Sequence, residues 1–223
     1  MIILGLTGSI GMGKSTIAGD FRRLGIPIHD ADETVHDLLK PNGEAFPPIK
    51  EMFPEAVKKG AIDRDIIAAR VFGDEDSLTR IEQVLHPLVR ARERKFLGRC
   101  ARQGKRQVVL DIPLLFETGG EARCDVVITV SAPAFVQEPR VLKRPGMTRE
   151  RMASILARQM PDAEKRWRAD FVVLTGLGRD FSLLQIQNIV RLTHHRRGKN
   201  WPSRPLPRRT MEERADRGRK AFA

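Results

Sequence analysis

Residues 8 to 16 read Gly-Ser-Ile-Gly-Met-Gly-Lys-Ser-Thr. They lie between an apolar run too short for a helix, residues 2 to 6, and a segment whose Ile17, Phe21 and Leu24 recur at helical spacing until Gly25 ends it. The pattern G-x-x-x-x-G-K-[ST] between a strand and a helix is that of a phosphate-binding loop. Glycines let backbone N–H groups converge on phosphate oxygens, and the helix starting near Lys14 adds the positive end of its dipole. In this reading Gly8, Gly11, Met12 and Gly13 form the cradle and Lys14 reaches the β- and γ-phosphates. The Ser15 hydroxyl ligates Mg²⁺, and Thr16 assists at the α-phosphate. A glycine-rich turn that binds nothing is the competing reading, and the strand–helix context argues against it.

The same context sets the fold class. Further apolar runs at residues 26–32, 107–113, 124–130 and 170–174 read as strands, with helical patterns between them. Continuous apolar strands separated by helices indicate an α/β fold, a P-loop NTPase-type parallel sheet flanked by helices. Residues 34 to 104 read as a helical insertion in which Leu78, Ile81, Leu85 and Leu88 keep a spacing of three and four, with Pro87 opening a new helix. Residues 1–33, 105–139 and 164–193 are then the core domain.

Composition narrows the function classes. The chain of 223 residues has two cysteines, Cys100 and Cys124, without CxxC spacing, so a zinc site or a disulfide framework is not indicated. No stretch approaches the ~20 apolar residues of a membrane helix, which predicts a soluble cytoplasmic protein. The net charge of +12 invites a nucleic-acid reading, but residues 194 to 223 hold ten Lys/Arg against three Asp/Glu, more than half the excess. That proline-containing stretch reads as a solvated basic tail, disordered or frayed from the body.

A phosphate loop alone does not separate GTPases, motor ATPases and small-molecule kinases, although no N-K-x-D guanine-reading motif is present. Asp111 ends the run Val108-Val109-Leu110 as a second Mg²⁺-side carboxylate does, or equally as a turn aspartate. Asp30 and Asp32 follow the second strand and fall on the ligand edge of the sheet; in extended backbone both face the same way. Transfer to an alcohol benefits from a carboxylate that accepts the hydroxyl proton, so an Asp beside the transferred phosphate favours a hydroxyl acceptor. Holding Mg²⁺ waters, or capping a helix that starts near Glu33, is the plainer role.

With these residues in view, "GLTGSIGMGKST", "HDAD" with "VHDLL", "GAIDRDIIAARVF", "LHPLV", "VVLDIPLLFETG" and "RPGMTRERMASILARQMPDAEKRWRADFVV" together resemble the dephospho-CoA kinase family, from residue 2 to about 193. The resemblance implies transfer of the γ-phosphate of ATP to the ribose 3′-hydroxyl of dephospho-CoA, with ATP and Mg²⁺ as cofactors. It implies Asp32 as base, the insertion 34–104 as acceptor-binding domain, and residues 140–163 as a mobile lid whose Arg140 and Arg144 approach the phosphates. Two arginines beside a short helical segment suit such a lid, which neutralises charge and excludes water. Arg149, Arg151 and Arg158 read instead as a solvated helix face.

His86, beside Pro87, is read either as a contact to the acceptor or as a structural histidine. Leu114, Leu115 and Phe116 are read either as acceptor-pocket lining or as core. Two departures from the family pattern stand out: Leu174 where a polar residue is common, which bears on adenine contacts, and Glu138-Pro139 before the lid arginine, which bears on the hinge. The expected partner is the small-molecule acceptor, with no membrane and no nucleic acid, and the chain acts as a monomer or weak homo-oligomer. The rival readings are a P-loop kinase for another nucleoside or nucleotide acceptor, and a nucleic-acid-associated P-loop ATP-binding protein.

Overall fold

The structure is a computed structural model that describes residues 1–58, 60–63, 66, 67, 70 and 74–202. Residues 203–223 of the basic tail lie outside the described residues, as does part of "GAIDRDIIAARVF".

The apolar runs form one sheet. β1 (Ile2–Thr7), β2 (Ile28–Asp30), β5 (Gln107–Asp111), β6 (Val126–Ser131) and β7 (Phe171–Leu174) lie in the order β2-β5-β1-β6-β7, each parallel to its neighbours. Alternation along β1 divides the core. Ile2, Leu4 and Leu6 face Ile17 and Phe21 of α1 (Lys14–Arg23) and Ile186 and Ile189 of α8 (Arg179–Thr193). Ile3, with Val108 and Leu110, faces the opposite layer. Gly5 also belongs to that layer, and a Cβ there would lie 2.6 Å from Cys124 Sγ, so β1 passes the neighbouring loop only without a side chain.

Between β2 and β5 come α2 (Ala31–Leu38), α3 (Phe46–Met52), a two-residue hairpin β3–β4 (Val57–Lys58 and Ala61–Ile62) and α4 (Glu75–Arg102). Leu38, Ile49, Phe53 and Ile81 make a separate small core with Leu85 and Leu88. α4 belongs to both cores, since its far end inserts Phe96, Leu97 and Cys100 under the sheet. It runs unbroken through Pro87, where a helix start was expected. Proline removes the bond to the Gln83 carbonyl, and because Gln83 and Pro87 are exposed, water can serve that carbonyl.

Beyond β6 follow α5 (Ala134–Leu142), α6 (Arg149–Ala157) and α7 (Asp162–Arg168). Arg140 therefore sits in the last turn of α5, ahead of the α5–α6 connection. Pro139 is accommodated inside α5, and Glu138 pairs with Arg149 at 2.8 Å across that connection.

The first nine residues of the expected tail are tied down. Asp125 accepts the Ile3 amide (2.8 Å) on one oxygen; its other oxygen accepts the Lys199 amide (2.7 Å), the Asn200 amide (3.0 Å) and the Asn200 side chain (3.1 Å). Trp201 then packs against the layer under the sheet. Composition alone reads this stretch as frayed because the anchor is one buried-edge carboxylate and one indole rather than a periodic apolar face.

Candidate active site

All carboxyl ends of the main sheet share one edge, and the crevice outside that edge is where open α/β sheets hold ligands. β1 delivers the phosphate loop there. Register sets Leu6 and Asp30 opposite Asp111 on the two flanks of β5, so the ends of three strands converge. Gly11 (φ 78°) and Gly13 (φ 92°) take left-handed backbone, and a Cβ on Gly11 would lie 2.5 Å from Val141 Cγ2. α1 then starts at Lys14 with Gly13 as a cap that has no side chain to offer to the first-turn amides, the arrangement that suits an incoming anion.

Lys14 Nζ lies 2.6 Å from Asp111 Oδ1. Burial holds the Asp111 carboxyl above its ordinary range against the pull of Lys14, and the charges of Asp30 and Asp32 push the same way as burial. Asp30 and Asp32 themselves separate. The helix after β2 begins at Ala31, two residues earlier than expected, so Asp30 becomes its cap and accepts the Glu33 amide at 3.0 Å. Asp32, in the first turn, lines the cavity instead.

That cavity encloses about 610 Å³ and is walled by the loop from Gly8 to Thr16, by Asp32 and Pro113, and by Arg140, Arg144, Gln159 and Arg179. Met12 turns its side chain away: it is buried, its Sδ accepts the Ala132 amide at 3.1 Å, and its carbonyl accepts from Thr175 Oγ1 at 2.7 Å. Arg140 holds Thr175 by two bonds, to Oγ1 at 2.9 Å and to the carbonyl at 2.8 Å. Arg179 is held by buried Asp20 at 2.9 Å. Cationic groups thus ring the phosphate loop while Asp32 faces it from α2. This arrangement can bind a polyphosphate and accept a proton beside it.

The cavity does not gather every expected residue. His86 stands exposed on α4 in a separate shallow groove with Thr79, Glu82 and Arg90. Leu115 is wholly buried in the layer under the sheet, against Gly5 and Gly120, and does not line the phosphate-loop cavity. Its pocket-lining role is therefore corrected to core packing, since an apolar side chain behind a strand lowers its free energy most by leaving water. Leu174 gives both backbone groups to Gln185, at 3.0 and 3.1 Å.

Other residues were not legible as site residues at all. Gln137, Gln159 and Thr175 grip the phosphate loop from outside, but an isolated Gln or Thr in a helix or loop carries no local signal. Among the described residues no cluster of three or more His, Cys, Asp or Glu could hold a metal by itself.

The chain is similar to known proteins. The sequence profile of dephospho-CoA kinase matches residues 2–177. A dephospho-CoA kinase from Paramagnetospirillum magneticum is 61% identical over 166 residues, 74% of this chain and 78% of that one. One from Mesorhizobium japonicum is 51% identical over 198 residues, 89% of this chain and all of that one. Among solved structures, a Thermus thermophilus protein is 37% identical with a TM-score of 0.76, covering 86% of this chain and 96% of that one. Dephospho-CoA kinase from Campylobacter jejuni is 25% identical with a TM-score of 0.64, covering 85% and 95%.

Proposed function

The chain belongs to the dephospho-CoA kinase family, and from that membership we propose that its cavity transfers the γ-phosphate of ATP to the ribose 3′-hydroxyl of dephospho-CoA, releasing CoA and ADP. The observation that carries this reading is one shared cavity: the phosphate loop, Arg140, Arg144 and Asp32 line the same space.

The amides of the loop and the α1 dipole bind the triphosphate, and Lys14 leaves Asp111 for the β- and γ-phosphates. Arg140 and Arg144 offset the negative charge that builds up as the phosphoryl group moves. Asp32 accepts the acceptor hydroxyl's proton as the new O–P bond forms and the bond to ADP breaks. The Ser15 hydroxyl with the carboxylate of Asp111 is a hard-oxygen set of the kind Mg²⁺ takes, with few protein ligands and the rest water and phosphate. Mg²⁺ bound there supplies charge neutralisation on the phosphate oxygens. The insertion from α2 to α4, with its own small core, holds the acceptor; α4 gives it a rigid link to the sheet. The reading includes a cytoplasmic setting, in keeping with the free thiols of Cys100 and Cys124; among the described residues no helix is long and apolar enough to cross a membrane.

The test is ADP release with dephospho-CoA, AMP, adenosine or pantetheine phosphate offered separately as acceptor. Turnover on dephospho-CoA far above the others is expected. Equal or higher turnover on AMP or adenosine would overturn the assignment in favour of a different nucleotide kinase.

A further inference from the structure

One residue of the phosphate loop is held at both its backbone groups by amide side chains. The Ile10 N–H donates to Gln159 Oε1 at 3.1 Å, and the Ile10 carbonyl accepts from Gln137 Nε2 at 2.7 Å. Gln137 is buried on α5, and Gln159 lies just past α6 on the cavity wall. The stretch behind Gln159 is braced in turn. The Met160 amide donates to Glu117 Oε1 at 2.8 Å, and the same oxygen lies 2.8 Å from the ammonium of Lys165, a side chain with no exposure. Lys165 also reaches the Pro113 carbonyl at 3.5 Å, which accepts from Thr7 Oγ1 at 2.9 Å at the end of β1. A closed circuit thus runs from the end of β1 through Pro113 on the cavity wall, Lys165 and Glu117 to Met160, and back to the loop at Ile10 through Gln159.

We infer that Gln159 and Gln137 are positioning residues for the donor nucleotide: by fixing the two peptide groups that flank Ile10 they hold the flexible, glycine-rich loop in its binding shape before ATP arrives. The inference rests on the kinase reading above for its catalytic consequence, but not for its effect on nucleotide binding. A loop with three glycines has a large conformational entropy to lose on ligand binding, and prior fixation removes that loss from the binding step. Neither glutamine need touch phosphate for this. Gln159's oxygen is engaged by the Ile10 amide in the fold itself.

The test uses the full chain and three variants: Gln159→Met, of similar length with no acceptor; Gln137→Met; and Gln159→Glu, which restores an acceptor. MgATP affinity by calorimetry, the Ile10 amide resonance in ¹⁵N-labelled protein without nucleotide, steady-state kinetics and thermal unfolding are read in parallel. Each Met variant is expected to weaken MgATP binding by roughly tenfold, about what one net hydrogen bond contributes. KM for dephospho-CoA should stay within about twofold, a split that general loosening of the fold does not produce. The Ile10 amide should shift in Gln159→Met and return toward its original position in Gln159→Glu. Unchanged MgATP affinity in both Met variants would overturn the inference, as would an Ile10 amide indifferent to Gln159. If Gln159→Met fails to fold, Gln137→Met carries the same test from the carbonyl side. A wild-type protein that binds MgATP yet leaves dephospho-CoA unphosphorylated would instead defeat the proposed reaction, with the positioning role still read from the binding and resonance data.

Discussion

Lys14 and Asp111, ninety-seven positions apart in sequence, form an ion pair of 2.6 Å between the first residue of α1 and the last residue of β5. The pair gives a buried carboxylate a counter-charge in the absence of ligand and keeps the ammonium at the mouth of the phosphate loop. Binding a triphosphate exchanges one anionic partner of Lys14 for another, so the lysine need not be desolvated afresh.

The pair makes a pH prediction. Burial raises the folded-state pKa of Asp111 above the unfolded value of about 3.9. A raised carboxyl binds its proton more tightly in the folded state, so its contribution to stability is complete below about pH 3.9 and is lost as pH climbs through the raised value. Asp111→Asn removes that contribution. The melting temperature of the variant, measured by calorimetry from acid to neutral pH, should therefore lack a decline that the wild type shows above the ordinary carboxylate range. Identical profiles would place the carboxyl's titration elsewhere.

Lys14→Ala should lower turnover by two or more orders of magnitude, because a charge aimed at the transferred phosphate is lost. Near-normal turnover in a folded variant would rule out its assigned role.

Asp32→Asn should lower kcat by roughly 10²- to 10⁴-fold, the usual range for a lost general base, while KM for ATP changes by no more than a few-fold. An unchanged kcat would remove Asp32 as the proton acceptor. Asp30→Asn is the useful companion, because Asp30 caps α2 and its amide variant can still accept the Glu33 N–H; a small effect on kcat is expected there.

Arg140→Lys should fail to rescue the loss seen in Arg140→Ala. Arg140 uses two guanidinium nitrogens on Thr175, one to the hydroxyl and one to the carbonyl, and an ammonium cannot span both in that planar fork. Steady-state kinetics of the two variants should agree within about threefold, well below wild type. Recovery in the Lys variant would show that charge alone suffices.

Leu115→Ala should destabilise the fold by about 2–5 kcal/mol, as for other buried leucines, while KM for dephospho-CoA per folded molecule is unchanged. Denaturant unfolding with matched kinetics separates this from a pocket role, in which KM would rise without loss of stability.

These outcomes also mark what sequence reading can reach. The phosphate loop and the parallel strands were legible because their physics is local: glycines for a tight anion cradle, and unbroken apolar runs for a sheet covered on both faces. Asp30 and Asp32 could not be told apart, because a shift of two residues in where α2 begins decides which is the cap and which faces the cavity. Pro87 misled because the reading weighed its lost hydrogen bond without knowing that its face of α4 meets solvent. Leu115 was ambiguous because composition cannot say to which side of a strand's exit a leucine turns. Gln137, Gln159 and Thr175 reach the phosphate loop through partners 127, 149 and 163 positions away. No window along the chain contains both halves of such a contact.

The carboxylate of Asp125 holds Ile3 with one oxygen and Lys199 and Asn200 with the other. The amino-terminal strand and the last described segment are therefore bridged by one carboxylate, at the end of the sheet away from the nucleotide cavity, where Gly198 also lies against the Met1 carbonyl. A short peptide could splice residue 202 to residue 1, and new termini could be opened in an exposed turn such as that at Gly104 without disturbing the cradle. A fusion placed directly ahead of Ile2, by contrast, sits beside a joint that clamps the central strand, and a cut before Lys199 would release half of that clamp.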